Sequence, residues 1–466
     1  MKKNFIKNIC CIGAGYVGGP TMAVIALNCP EFRVDVVDIN LERINAWNSD
    51  DLTKLPVFEP GLDGIIEICR GNNLFFSTDI EASISKADII FISVNTPTKT
   101  KGIGAGYASD LKWIEGSARQ IAKFAKNHTI VVEKSTLPVR TAETIKTILN
   151  SNQEDSKSSI RHLKKTFSIV SNPEFLAEGS AIDDLQYPDR VLIGGENEES
   201  INEISDIYKK WVDKDKIITT NLWSSELSKL VSNAFLAQRI SSINSISALC
   251  ETTGANISEV AKAVGTDKRI GNKFLNPGPG FGGSCFKKDI LNLVYLSRYY
   301  GLDEVANYWE QVVNINLWQQ NRITLLIIKS LFGTLSNKKL AIFGFSFKAN
   351  TNDTRESPSI NISNNLLQEG AQLSFYDPKV NSRQILRDLK NGIDQKNILI
   401  SETAFEAAVG ADAVIILTEW NEFKDLDWEA IYKVMRRPSW LFDARICLEK
   451  NYLENIGFRV WTLGNT

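Results

Sequence analysis

Histidine is nearly absent from this chain: His128 and His162 are the two among 466 residues. An enzyme built from it is expected to draw its acid–base chemistry from Asp, Glu, Lys or Cys. Cysteine is sparse as well, with seven residues (Cys10, Cys11, Cys29, Cys69, Cys250, Cys285 and Cys447) and no CxxC pair. That excludes a disulfide framework and a structural zinc site, and no metal is expected. No run of about 18 apolar residues occurs, so no membrane span is expected. The start Met1–Ile6 imitates a signal peptide until Lys7 breaks its apolar run. A reducing cytoplasm is the expected compartment. An excess of charge is lacking too: 53 Lys and Arg against 55 Asp and Glu leave −2. No strong field draws the whole chain to nucleic acid or an anionic membrane, so an anionic ligand must be held by a local site.

What is present is ordinary for a folded protein, 43% hydrophobic and 23% charged residues. At roughly 150 residues per domain the length predicts about three domains. Short β-branched runs alternate with helical patterns over the first half: Ile9–Ile12, Val34–Val37, Leu74–Ser77, Asp88–Val94, Thr129–Glu133, Phe167–Ser171, Arg190–Ile193 and Ile217–Thr219. Most are continuous apolar runs, as expected of parallel strands covered on both faces. The polar stretch Asn150–Lys165 reads as an exposed loop or frayed helix end. From Ser224 the spacing of Leu227, Leu230, Val231 and Ala234 turns helical, without Pro or Gly to Thr253. Such a helix is about 45 Å long at 1.5 Å per residue. Strand text resumes at Leu340–Gly344, Leu373–Tyr376, Ala413–Leu417 and Trp440–Phe442, and Gly410–Ile416 resembles Lys86–Ile92. The expected fold is α/β: two Rossmann-like, doubly wound parallel-sheet domains, 1–222 and 333–466, joined by a long central helix and helical domain, 223–332.

Gly13-Ala14-Gly15-Tyr16-Val17-Gly18 is a G-x-G-x-x-G turn between a strand and a helical pattern. Its glycines permit the tight turn, the approach of a pyrophosphate and close helix–sheet packing. Asp38 ends the second strand twenty residues beyond Gly18, where a carboxylate binds ribose hydroxyls and disfavours a 2′-phosphate. NAD is therefore the expected cofactor, with Arg43 near enough to bear on that preference. In Phe281-Gly282-Gly283-Ser284-Cys285-Phe286-Lys287-Lys288-Asp289, four glycines from Gly278 precede a cysteine that opens a helical pattern. A helix N-terminus favours the thiolate a nucleophile needs. Asp289, four residues on, suits a base or water-holder, and Lys287 and Lys288 are solvated or anion-binding. Lys229 and Asn233 share one helical face, although a helix lysine is more often a solvated charge. Thr136, Glu174 and Glu178 follow predicted strands, at the sheet edge where ligands bind. Lys348, Arg355 and Arg445 follow strands of the last domain; cations there suit phosphate, or form surface salt bridges.

Together these residues resemble the UDP-glucose/GDP-mannose dehydrogenase family, nucleotide-sugar dehydrogenases that oxidise an alcohol to an acid. The resemblance runs in order through Gly13–Gly18, Ser93–Thr98, Glu133–Pro138, Ser171–Gly179, Ser224–Asn233, Arg269–Leu275, Phe281–Asp289 and Asp353–Ser357. It implies NAD-dependent, four-electron oxidation of UDP-glucose through a thiohemiacetal and a thioester on Cys285. It further implies Lys229 as oxyanion stabiliser, Asp289 as base, and Thr136, Glu174 and Asn233 around them. For the cofactor it implies the glycine turn, Asp38, Arg43, Val94, Asn95, Thr96, Ser135, Thr136, Glu178, Lys288 and Arg355. For the UDP-sugar it implies Glu174, Phe175, Leu176, Ala177, Glu178, Lys229, Asn233, Arg269, Phe274, Phe281, Gly282, Phe347, Lys348 and Arg445. A homodimer or homohexamer is implied, with Arg269 reaching across from a neighbouring subunit. Asn276 and Ala349-Asn350 depart from the family pattern.

Three other readings stay open on the sequence. One is the same chemistry on UDP-N-acetylmannosamine or GDP-mannose. Another is a two-electron hydroxyacid dehydrogenase, which needs Lys229 and Asn233 but no nucleophilic Cys285. A silent nucleotide-binding scaffold is the third.

Overall fold

The computed structural model describes residues 6–135, 138, 140–151, 165–389 and 395–465. All but the ends of the polar stretch read as a loop at 150–165 lies outside them. The chain forms two compact units, Met1–Ser232 and Asn233–Thr466.

Among the described residues the first unit holds an eight-stranded sheet: β1 (Lys7–Ile12), β2 (Phe32–Val37), β3 (Leu74–Ser77), β4 (Ile89–Ile92), β5 (Thr129–Glu133), β6 (Phe167–Ser171), β7 (Val191–Gly195) and β8 (Ile217–Thr220). Their order is β3-β2-β1-β4-β5-β6-β7-β8, so the winding reverses between β1 and β4. Successive residues of a strand face opposite sides of a sheet. Ile9 and Cys11 accordingly join one apolar layer with Val34, Phe91 and Val132. Cys10 and Ile12 join the other with Ile90 and Val131. Two covered faces are the reason these strands read as unbroken apolar runs.

One pairing departs from the all-parallel expectation. β7 lies antiparallel to β6, with Val170 opposite Gly195 and Ser171 opposite Gly194, and β8 follows β7. Residues 172–190 therefore leave and re-enter the sheet at the same edge instead of crossing back. That edge carries the C-terminal ends of β1 to β6, and the Asn172–Gly179 stretch stays on it. The helix Leu222–Thr253 starts two residues before the expected Ser224 and carries the chain into the second unit.

The second unit contains β9 (Lys339–Phe343), β10 (Gln372–Tyr376), β11 (Ile398–Ile400), β12 (Ala413–Ile416), β13 (Trp440–Asp443) and β14 (Arg459–Thr462). Its sheet is parallel throughout, ordered β11-β10-β9-β12-β13-β14. The similar fragments Lys86–Ile92 and Gly410–Ile416 lead into β4 and β12, which occupy the same place beside β1 and β9. Each first strand is followed by a glycine at positive φ, Gly13 at 111° and Gly344 at 90°. A Cβ on Gly13 would lie 2.4 Å from the Ser93 carbonyl oxygen, and one on Gly344 2.4 Å from Thr418 Cβ. The outer strands β11 and β14 were not expected from sequence. The first has three residues and the second is half exposed, so neither shows a buried apolar run.

Trp47 supports the first glycine turn from below. It is fully buried, stacks on Phe76 at 4.7 Å and donates from Nε1 to the Ala14 carbonyl at 2.9 Å. A Cβ on Gly19 would lie 2.2 Å from its ring. Trp47→Ala is expected to lower unfolding free energy by about 3–5 kcal/mol, the usual cost of an emptied aromatic site. Denaturant titration checks this; a loss under about 1 kcal/mol would mean that the turn collapses onto the space without cost.

Candidate active site

In the first unit the glycine turn has the form of a phosphate cradle. The chain's own packing demands two of its glycines: a Cβ on Gly18 would lie 2.0 Å from the Gly13 carbonyl oxygen, and Gly13 itself is blocked by Ser93. Gly15 differs, since a Cβ there would meet nothing within 4 Å. Open space at the middle glycine, beside the start of the helix Gly18–Asn28, is what a pyrophosphate requires. Tyr16 and Val17, half-buried, complete the turn. Asp38, at the end of β2, accepts from the Ala14 N–H at 3.0 Å, the Asn40 N–H at 2.9 Å and Arg43 Nη1 at 3.0 Å. A carboxylate has about four acceptor positions, so capacity for a ribose hydroxyl remains. These residues fit a dinucleotide. Across the reversal in winding, the Ser135 hydroxyl donates to the Val94 carbonyl at 2.7 Å, joining the segment after β4, with Asn95 and Thr96, to that after β5. Thr136 lies outside the described residues.

On the same edge Glu174 is buried beside Lys229, with 3.5 Å between Oε1 and Nζ and each side chain 5% exposed. The other Glu174 oxygen accepts the Leu176 N–H at 2.9 Å. Phe175 lies under two cations, Arg190 at 3.8 Å and Lys229 at 5.2 Å from the ring centre. Leu176, Ala177 and Glu178 continue along this stretch, which Glu59 anchors by accepting from the Gly179 and Ala181 N–H groups at 2.8 and 3.0 Å. Neither Arg190 nor Glu59 stood out in the sequence. A second buried acid, Glu226, accepts the N–H groups of Arg140 and Ala142 at 2.7 and 3.0 Å, at the start of the helix Thr141–Ser151. Burial raises its pKa to about 7. Burial, with the neighbouring Glu226 charge, also raises Glu133 well above the carboxylate range.

In the second unit Cys285 caps the helix Phe286–Tyr299, and the Asp289 N–H donates to its carbonyl at 2.9 Å. Five other cysteines are buried, as expected of small hydrophobes. Burial holds the thiols of Cys11 and Cys29 up at about 12 and raises Cys10 and Cys447 as well. Cys285 is instead half-buried, at a helix N-terminus. Asp289 is buried and accepts from Asn233 Nδ2 at 2.6 Å, while Lys288 Nζ lies 3.7 Å from its other oxygen. Phe274 and Phe281 pack around Phe286, at 6.4 and 5.8 Å between centroids. A Cβ on Gly282 would lie 2.7 Å from both the Glu356 carbonyl oxygen and Phe347 Cβ, and the Gly283 N–H donates to the Arg355 carbonyl at 2.8 Å. The cysteine loop and the Phe347–Glu356 segment are thus brought together.

The basic residues of this unit differ in their engagement. Arg355 grips Asp353 at 2.6 Å. Arg445 donates to the Leu417 and Phe347 carbonyls at 2.8 and 2.9 Å, whereas Lys348 is half-buried over Phe347. Arg269 is 89% exposed in the single chain and paired with Asp267 at 2.6 Å. Arg239, missed from sequence, holds its loop by donating to the carbonyls of Ile270, Gly271 and Lys273 at 2.7–2.9 Å.

Comparison with known proteins matches three successive stretches of the chain. Models of the UDP-glucose/GDP-mannose dehydrogenase family match residues 7–212 as its NAD binding domain, 223–318 as its central domain and 341–450 as its UDP binding domain. The UDP-glucose 6-dehydrogenase of Gallus gallus is 55% identical over 471 residues, covering 98% of this chain and 93% of its own. UDP-glucose 6-dehydrogenase 4 of Arabidopsis thaliana is 54% identical over 475 residues, covering 98% and 96%. Among solved structures, a UDP-glucose dehydrogenase from Pyrobaculum islandicum superposes with a TM-score of 0.84 at 27% identity, covering 98% of this chain and 99% of that one.

The buried acid at 226 has a consequence for stability. A carboxyl group raised to about 7 on folding, from an ordinary 4.5, retains a proton that the unfolded chain releases. The folded form then binds more protons between those values, so stability present below about 4.5 is lost as pH rises through about 7. Glu226→Gln does not titrate; its single oxygen serves one of the two N–H groups, which Glu226 accepts on separate oxygens. Thermal unfolding from pH 4.5 to 7.5 is expected to show a smaller fall for the variant than for the parent, and equal slopes would contradict the assignment.

Proposed function

The chain belongs to the UDP-glucose/GDP-mannose dehydrogenase family, and we propose that it oxidises C6 of UDP-glucose to the carboxylate of UDP-glucuronate with NAD, through a covalent intermediate on Cys285. The observation that carries this reading is the half-exposed cysteine at a helix N-terminus with a buried acid, Asp289, one turn into the same helix and fixed by Asn233. A two-electron dehydrogenase has no use for that thiol.

Gly13, Gly15, Gly18 and Asp38 would hold NAD. When bound, it supplies the hydride acceptor, two molecules being reduced per sugar. The chain's own groups handle the protons, the oxygen charge and the covalent bond. As a hydride leaves C6, Asp289 takes the hydroxyl proton through water and an aldehyde results. The Cys285 thiolate adds to the aldehyde carbon, forming a C–S bond and an alkoxide that the Lys229 ammonium stabilises. A fixed cation in a dry site does this without reorganising. Loss of a second hydride from the same carbon restores the C=O bond as a thioester. Asp289 passes its first proton to solvent, and water deprotonated there then adds to the thioester. The oxyanion collapses, the C–S bond breaks, and Cys285 leaves as thiolate with UDP-glucuronate released. Glu174, paired with Lys229 at 3.5 Å, holds it in place. Thr136 serves beside these groups, and Arg269, Phe274, Lys348 and Arg445 serve the nucleotide sugar. No step needs histidine.

We further propose the division 1–222, 223–332 and 333–466, a cytoplasmic location, and a homo-oligomer in which Arg269 serves a neighbouring subunit. No helix among the described residues is long and apolar enough to cross a membrane. In support of assembly, Phe235 and Leu249 on the central helix and Trp318 and Leu325 on the helix Asp303–Ser330 are 42–66% exposed. Light scattering at assay concentration should show at least a dimer; an active monomer would remove the role given to Arg269.

NADH counting tests the chemistry. The parent protein should yield two NADH per UDP-glucose. Cys285→Ala should retain slow oxidation to the aldehyde, since that step forms no bond to sulfur, but lose steady-state turnover by at least about a hundredfold. One NADH per sugar from the parent, or full two-step turnover by the variant, would remove the thioester mechanism.

A further inference from the structure

Residues 277–283, ahead of Cys285, are all buried yet belong to no helix or strand. Such a segment has no ladder to satisfy its peptide groups, and buried peptide groups need partners. Pro277 and Pro279 remove two donors from the problem. Amide side chains meet much of the remaining demand. The Gly278 N–H donates to Asn244 Oδ1 at 2.8 Å, and Gln319 Nε2 donates to the Gly278 carbonyl at 3.0 Å. Asn316 does both for one residue: its Oδ1 accepts the Phe281 N–H at 2.8 Å, and its Nδ2 donates to the Phe281 carbonyl at 3.1 Å.

Asn316, Gln319 and Gln320 lie at i, i+3 and i+4 of the helix Asp303–Ser330, on one buried face. Arg322 Nε donates to Gln319 Oε1 at 3.1 Å, which leaves the Gln319 NH2 turned to Gly278. The backbone rests directly on Asn316: a Cβ on Gly280 would lie 2.7 Å from Asn316 Oδ1. Gly280 stands at φ +135°, a conformation that glycine tolerates. From Phe281 the contact continues to Phe286, whose ring meets it edge-on at 5.8 Å and which is the first residue of the helix that Cys285 caps.

Resting on the thioester reading above, we propose that Asn316 is a positioning residue for the Cys285 nucleophile: its two-point bond to Phe281 fixes the loop that holds the thiol at the helix N-terminus. It touches neither reacting atoms nor cofactor in this role. Its removal should therefore affect the steps that use sulfur and spare aldehyde formation, which does not. A residue that only stabilised the fold would weaken both alike.

The test uses Asn316→Leu, which removes both bonds at similar volume, and Asn316→Asp, which keeps the acceptor and loses the donor. Three readouts are taken on protein shown to be folded: the iodoacetamide alkylation rate of Cys285 against pH, NADH per UDP-glucose in a single turnover, and NAD affinity. For Asn316→Leu the alkylation profile should move to higher pH. The second hydride should slow at least tenfold, so that early NADH falls from two toward one per sugar, while the first hydride and NAD affinity change less than threefold. Asn316→Asp sets an oxygen against the Phe281 carbonyl in place of the donor, so it too should slow the second hydride and move the alkylation profile upward. Wild-type alkylation and two NADH at the parental rate would overturn the proposal, as would equal slowing of both hydrides. If Asn316→Leu does not fold, Asn316→Asp decides alone, and a parental second hydride rate overturns the proposal. Parent protein yielding one NADH per sugar would sink the thioester reading instead, an outcome separable because the alkylation profile does not depend on it.

Discussion

Parallel pairing of β1 to β6 is the constraint from which the rest of the first unit follows. Parallel neighbours require the chain to cross back after each strand, so every strand from β1 to β6 ends at one edge. The glycine turn, Asp38, the Val94–Thr96 segment and Ser135 therefore share that edge although up to 122 residues separate them in the chain. The antiparallel entry of β7 extends the arrangement, because residues 172–190 need not cross back and Glu174 remains with the others. Where winding reverses, between β1 and β4, neighbouring loops diverge and leave a crevice. Asp38 and the open space at Gly15 lie beside it.

The second unit repeats the device with a different outcome. Asp377 follows β10 as Asp38 follows β2, and it accepts the Phe345 N–H at 2.6 Å as Asp38 accepts that of Ala14. Asp377 also takes the N–H groups of Ser346, Lys379 and Val380 and the Trp420 indole. Its acceptor capacity is spent on the chain itself, whereas Asp38 retains some. Two sheets with the same winding can thus bind a nucleotide in different ways, because the fold provides the crevice and side chains decide what enters it.

Carboxyl groups are buried repeatedly; specific partners offset the desolvation of several, while burial raises Glu226 and Glu133. Glu174 has Lys229 and a backbone N–H; Asp289 has Asn233; Glu59 and Glu226 each accept two backbone N–H groups at the start of a helical segment. Charge-assisted bonds of this kind are short and directional, so they fix loops that have no ladder of their own. Side chains presented on such loops are held as firmly as those on regular elements.

What the sequence determined by itself was whatever short-range pattern encodes. Apolar runs marked the strands of both sheets, apart from short β11 and half-exposed β14. Glycine spacing marked the turn after β1, and glycines followed by Cys285 and Asp289 marked the helix start proposed to carry the nucleophile. Tertiary structure alone decided the reversal at β7 and the identity of the residues that hold the site. Glu59 meets Gly179 across 120 positions, Glu226 meets Arg140 across 86, and Asn316 meets Phe281 across 35. On paper a Glu, Asn or Gln on a helix or loop reads as solvated surface. What makes it structural is a peptide group brought to it by distant chain, and no local periodicity records that meeting.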